Sequence, residues 1–103
     1  MGVVKSGADG VVVDGDLSEA EFEDFEKALN VLRKSSVQAP VVDLSEVRYI
    51  SSRAIGSLVT LWVDLSEKSR WFDLIASDRV WSILEKAGVA GVFFKRPKGP
   101  QTP

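Results

Sequence analysis

The chain of 103 residues has no cysteine and no histidine. Without cysteine no disulfide can staple the fold, and nothing points to an oxidising compartment. Without histidine there is no Ser-His-Asp triad, no Cys-His pair and no imidazole metal site. Only carboxylate, hydroxyl and lysine chemistry stays open, so neither an enzyme nor a metal or cofactor protein is expected. Long apolar runs are missing too. The longest largely apolar stretch, 54–63, contains Gly56, Ser57 and Thr60 and is too short to cross a bilayer. No charged-then-apolar signal pattern opens the sequence, and a cytoplasmic home without membrane insertion is the expectation. A basic excess is also lacking. The formal net charge is −2 and the only short cationic cluster is Lys95, Arg96 and Lys98, which disfavours nucleic acid as a partner.

Hydrophobic residues make up 45% and charged residues 27%, a balance that suits a folded domain rather than a disordered chain. The length is that of one domain with one modest core. Residues 1–5 read as a strand, followed by a turn-rich segment ending in Asp9-Gly10 and a second strand at 11–13. Asp-Gly between apolar runs predicts a hairpin. Gly15-Asp16-Leu17 leads into a helix, and Ser18 with Glu21 has the spacing of a capping box. Phe22, Phe25, Leu29 and Leu32 recur at helical spacing as its buried stripe. The carboxylates Glu19, Glu21, Glu23, Asp24 and Glu26 crowd the first half of that helix. They complement its dipole and read as a solvated acidic face, not as a metal or partner site.

Residues 35–40 read as a loop and 41–44 as a short apolar strand, connected onward by 45–49. Ser51 and Ser52 suit a helix start, because a serine hydroxyl accepts from an otherwise unpaired backbone N–H. Ile55, Leu58, Val59, Trp62 and Leu65 form the stripe of that helix, which runs to about Lys68. Residues 71–76 return to strand character. Asp78 is placed to cap a last helix carrying Val80, Trp81, Leu84 and Ala87, with Gly88 at its C-terminal end. Residues 89–94 read as a short strand or a packed turn, and 95–103, with three of the four prolines, as a disordered tail. Trp62, Trp71 and Trp81 read as packing residues. Strands alternating with helices predict an α/β domain over 1–94. Its sheet is mixed but mostly parallel, with four or five strands and crossover helices, and the opening hairpin supplies the antiparallel pair.

Three segments carry a resemblance. Val41-Val42-Asp43-Leu44, the bend after it and Ile50-Ser51-Ser52-Arg53-Ala54-Ile55-Gly56 resemble the central signature of STAS domains. Gly15-Asp16-Leu17 resembles the turn before the first helix of that family, and Leu84-Glu85-Lys86-Ala87-Gly88-Val89 resembles its last helix and the turn after it. The likeness spans about 3–94 and is strongest to the anti-sigma factor antagonist branch. It implies helices packed mainly on one face of the sheet. It also implies that the hydroxyl at the start of the second helix, Ser52 here, is phosphorylated by a serine kinase that is itself the anti-sigma factor, with a phosphatase to reset it. Ser51 is the fallback acceptor. The partner-binding residues so implied are Asp16, Asp43, Ser51, Ser52, Arg53, Ile55 and Gly56. Two departures stand out: Ser51 occupies a position that is often Asp, and Arg53 and Ala54 follow the acceptor where a second hydroxyl and a small residue are usual.

The alternative is a scaffold or complex-subunit STAS domain, in a stress-sensing or transporter-associated assembly, without a phosphoswitch. An enzyme built on paired carboxylates such as Asp14 and Asp16 has no nucleophile or metal set beside it. A ligand-sensing role finds no glycine-rich phosphate loop.

Overall fold

A computed structural model describes residues 2–94. The expected tail at 95–103 and its cationic cluster lie outside them, as does Met1 of the expected first strand. The strands are β1 (Val3–Gly7), β2 (Gly10–Asp14), β3 (Val41–Glu46) and β4 (Asp73–Ala76). The helices are α1 (Phe22–Lys34), α2 (Ser52–Ser66) and α3 (Asp78–Lys86), with 3-10 turns at Glu19–Glu21 and Ala90–Phe94. The sheet has four strands in the order β1-β2-β3-β4. β1 is antiparallel to β2, and β2, β3 and β4 run parallel.

The two crossovers, β2-α1-β3 and β3-α2-β4, step the same way along the sheet. Crossovers of this kind are right-handed, so α1 and α2 cover the same face. Period-two alternation shows which face it is. Val11, Val13, Val42 and Leu44 are buried, whereas Val12 and Ile75 are 45% and 48% exposed. Val12 pairs with Asp43 and Asp43 with Ile75, so one row of side chains runs across the open face. The other face packs on Phe25, Leu29 and Leu32 of α1 and on Leu58, Leu61 and Leu65 of α2, all buried. Each such side chain contributes about 1.5–3 kcal/mol relative to an exposed one.

Several expectations shift in detail. The hairpin loop is Ala8 and Asp9, closed by the pair Gly7–Gly10. Gly10 belongs to the sheet: a Cβ there would lie 2.3 Å from the Val41 carbonyl oxygen, a close approach of strands that only glycine permits. Phe22 is half-buried rather than core, and Leu61 is buried where Val59 is only partly so. Glu21 leaves the predicted acidic face and is 5% exposed. Its carboxylate turns inward to accept from the Ser18 amide at 2.9 Å and the Ser18 hydroxyl at 2.6 Å. Those hydrogen bonds, the hydroxyl first, hold the Glu21 pKa below its ordinary value against the opposing effect of burial.

The last helix starts one residue earlier than predicted. Ser77, not Asp78, is its cap: the hydroxyl accepts from the Val80 amide at 3.2 Å and donates to the Val47 carbonyl at 2.5 Å. A carboxylate could accept but not donate, so only the hydroxyl can also tie α3 to the β3-α2 loop. Gly88 ends α3 as expected, at φ +78°. The Val89 amide donates to the Leu84 carbonyl at 3.1 Å and that of Gly88 to Glu85 at 3.0 Å, the hydrogen-bond pair of a Schellman motif. Residues 89–94 form a packed turn, not a strand. Phe93 of that turn is buried, with its ring 5.9 Å from Trp62 and 5.6 Å from Phe72. Trp62 and Phe72 meet edge to face at 5.2 Å. Trp71 and Trp81 are half-buried against the core.

One buried cation went unread in the sequence. Arg70 is 9% exposed and donates to the carbonyls of Val37 at 2.7 and 3.0 Å, Leu32 at 3.0 Å and Arg33 at 3.2 Å. Leu32 and Arg33 lie in the last turn of α1, where carbonyls are orphaned and the dipole favours a positive charge. Ser69, at φ +56°, turns the chain after α2 into Arg70.

Candidate functional site

The C-terminal ends of the parallel strands feed three loops that meet at one crest of the molecule. In open parallel sheets this is where binding residues collect. The β2-α1 turn and the β3-α2 loop are locked together by backbone alone. Leu17 bridges Ile50 in parallel. The Leu17 amide donates to the Tyr49 carbonyl at 2.8 Å, and the Ser51 amide to the Leu17 carbonyl at 2.9 Å. Leu17 and Ile50 are buried, so an apolar anchor sits beneath the helix start.

At that start the two serines divide the work. Ser51 is the N-cap: its hydroxyl accepts from the Ala54 amide at 3.2 Å and the residue is 4% exposed. Ser52 is the first residue of α2 and is exposed. Arg53 follows in the first turn, where the dipole disfavours a cation. Its Nη1 is 3.0 Å from Oε1 of Glu19, both side chains being more than 60% exposed. Its guanidinium carbon lies 4.0 Å from the centre of the Phe22 ring. The exposed pair is worth about 0–1 kcal/mol and the ring contact about 0.5–1 kcal/mol. Ile55 is buried and Gly56 exposed. A shallow groove runs between α1 and α2 past Phe22, Arg33, Arg53, Gly56, Ser57 and Thr60.

The chain has the STAS fold of the anti-sigma factor antagonists. An anti-sigma factor antagonist from Mycobacterium paratuberculosis superposes with a TM-score of 0.73 at 22% identity, covering 95% of this chain and 86% of that one. The anti-sigma factor antagonist SpoIIAA, in its unphosphorylated form, superposes with a TM-score of 0.67 at 14% identity, covering 88% and 84%. No family model matches the sequence, and no curated protein matches it.

Within this STAS fold the residues singled out from the sequence separate. Ser52, Arg53 and Gly56 are exposed on the first turns of α2, and Asp16 is exposed in the β2-α1 turn. Ser51 and Ile55 are buried and serve the scaffold. Asp43 lies within β3, not at its end, because the strand continues through Ser45 to Glu46, which pairs with Asp14. Half-buried on the open face, its Oδ1 accepts from the Ser45 amide at 2.9 Å and the Ser45 hydroxyl at 2.6 Å. Asp16 lines a cavity that Asp14 does not line. Among the described residues no helix is long and apolar enough to cross a membrane, and no group of three or more His, Cys, Asp or Glu could hold a metal ion.

The sequence reading missed the rest of that cavity: Arg48 and Tyr49 of the β3-α2 loop, and Arg79, Ser82 and Ile83 of α3. The available signal was Arg79, a cation in the first turn of a predicted helix.

Proposed function

We propose that this chain is a partner-switching protein of the anti-sigma factor antagonist kind. It acts by binding in the cytoplasm, not by catalysis. Its crest binds an anti-sigma factor that is also a serine kinase, phosphorylation of Ser52 ends that binding, and a phosphatase restores it. The observation that carries the reading is the exposed Ser52 beside a buried Ser51 that already serves as cap, at the first turn of a 15-residue helix. A kinase can reach the Ser52 hydroxyl without disturbing the cap.

The physics of the switch is local. A phosphate adds nearly two negative charges and several strong acceptors. At a helix N-terminus the unpaired N–H groups and the dipole accommodate it, so the fold persists. On the contact surface the same charge enters the interface unpaired, which is costly. Asp16, Arg53 and Gly56, exposed like Ser52, supply further contacts to the partner.

Phosphosite mapping by mass spectrometry, after incubation of the purified chain with ATP and lysate of its own organism, tests the reading. A single phosphate on Ser52 supports it. No modification, in a lysate that phosphorylates other proteins, sinks it.

A further inference from the structure

Five arginines lie among the described residues, and three are engaged: Arg33 with Asp64, Arg53 with Glu19, and Arg70 with backbone carbonyls. Arg48 and Arg79 have no ion pair or side-chain hydrogen bond to any described residue. Both are exposed, and both line the same cavity, of about 490 Å³, at the crest. They reach it from different elements, Arg48 from the β3-α2 loop and Arg79 from the first turn of α3. Asp16 shares the wall without an ion pair to either, so two cations and one anion line this site, in a chain of formal net charge −2.

Keeping these cations unpaired has a cost. A positive charge in the first turn of a helix is unfavourable by about 0.3–1 kcal/mol. Asp78 in the same turn offsets part of it for Arg79, and a ligand's negative charge would supply the rest. The surroundings indicate what brings it. Tyr49 is 51% exposed, and Ser82 and Ile83 line the same cavity. The cavity is broad and open, suited to a protruding segment. It adjoins the helix start through the Leu17–Ile50 bridge.

We propose that this cavity is a docking site for a protein segment that presents a carboxylate next to an apolar side chain. Arg48 and Arg79 receive the carboxylate, and Tyr49 and Ile83 receive the apolar group. The inference extends the proposed function, since it supplies the chemistry of the partner's face, but the cavity's preference for a carboxylate rests on its arginines and not on Ser52.

The test is a nitrogen-15 NMR titration of the purified, unphosphorylated full chain. The probe is the peptide acetyl-Leu-Glu-Glu-Leu-Leu-amide, with acetyl-Leu-Gln-Gln-Leu-Leu-amide as the neutral control. The Glu peptide is expected to give saturable shifts at the amides of Arg48, Tyr49, Arg79 and Ser82, reduced by added salt. Loss of charge-assisted hydrogen bonds should weaken binding by about ten-fold or more in the R48Q/R79Q double variant. Both arginines are exposed, so the variant keeps the wild-type spectrum elsewhere, and R79Q alone serves as a second variant. Equal shifts with the Gln peptide, unchanged binding in the double variant, or no shifts at the cavity would each overturn the proposal. No kinase or ATP enters this experiment. A phosphate mapped to Ser52 with no peptide binding would therefore remove this inference alone, and peptide binding with no phosphorylation would remove the switch alone.

Discussion

The carbonyl of Leu17 accepts from the amide of Ser51 at 2.9 Å. With the reciprocal bond from Leu17 to Tyr49, it fastens the β2-α1 turn to the β3-α2 loop through main chain alone. The start of α2 is thus positioned by backbone and by the buried Leu17 and Ile50. Side chains on its outer surface are free to change, or to be modified, without moving the helix. That separation of support from surface is what a protein switched by one hydroxyl requires.

The two serines should separate cleanly in stability. Ser51→Ala removes the hydroxyl that accepts from the Ala54 amide, and is expected to cost about 1 kcal/mol, which lowers the melting temperature by about 4–8 °C in a domain of this size. Ser52→Ala, at an exposed position, should stay within about 0.5 kcal/mol of wild type. Thermal unfolding of both variants checks the pair, and a larger loss at Ser52 would mean that the capping roles are reversed.

Gly56 should oppose stability to binding. It is exposed inside α2, and a Cβ there would meet nothing within 4 Å. Gly56→Ala is therefore expected to stabilise the chain by about 0.5–1 kcal/mol in urea unfolding. Under the proposed function, in which the partner packs on α2, the added methyl weakens partner binding in the same preparation.

Arg70 should behave as a structural cation. Arg70→Met strips the carbonyls of Leu32, Arg33 and Val37 of their donor and is expected to cost about 1.5–3 kcal/mol, the range for hydrogen bonds to a charged group. Arg70→Lys keeps the charge but loses the planar fork, so it should recover less than half of the loss. Denaturant midpoints of the three proteins decide this.

Glu21 predicts an acid-side dependence. Its folded pKa lies below the ordinary value of 4.5 because the Ser18 hydroxyl and amide stabilise the carboxylate. A depressed pKa means that the folded state binds fewer protons than the unfolded one. The resulting stability is present above pH 4.5 and is lost as pH falls through the folded pKa. Glu21→Gln should be less stable than wild type at neutral pH, with the gap closing in acid. Urea midpoints across that range measure it, and a gap independent of pH would contradict the assignment.

Much of this was legible in the sequence because it is local or periodic. The stripe Phe25, Leu29 and Leu32, the Ser18–Glu21 pair, the serines at 51 and 52 and the glycine after α3 each follow from residues within a few positions of one another. Alternation of strand and helix was enough for the α/β class; handed crossovers put α1 and α2 on one face only once the strand order β1-β2-β3-β4 is given. What stayed hidden joins positions far apart in the chain. Arg70 meets Leu32 across 38 residues, and Arg53 finds Glu19 across 34. Ser77 displaced Asp78 as cap because the Val47 carbonyl, 30 residues away, offered its hydroxyl a second bond. Asp43 lies inside β3 rather than at its end because the strand runs on to Glu46, which pairs with Asp14.

By itself, then, the sequence determined the elements, their order and the serine pair at a helix start, since backbone propensity, capping and hydrophobic period act over a few residues. Local capping preference already favours Ser51 as the cap with Ser52 exposed inside the helix, whereas which arginines end paired or free around the crest was decided only by tertiary structure. Ion pairing depends on what the fold brings alongside, and no local pattern encodes that.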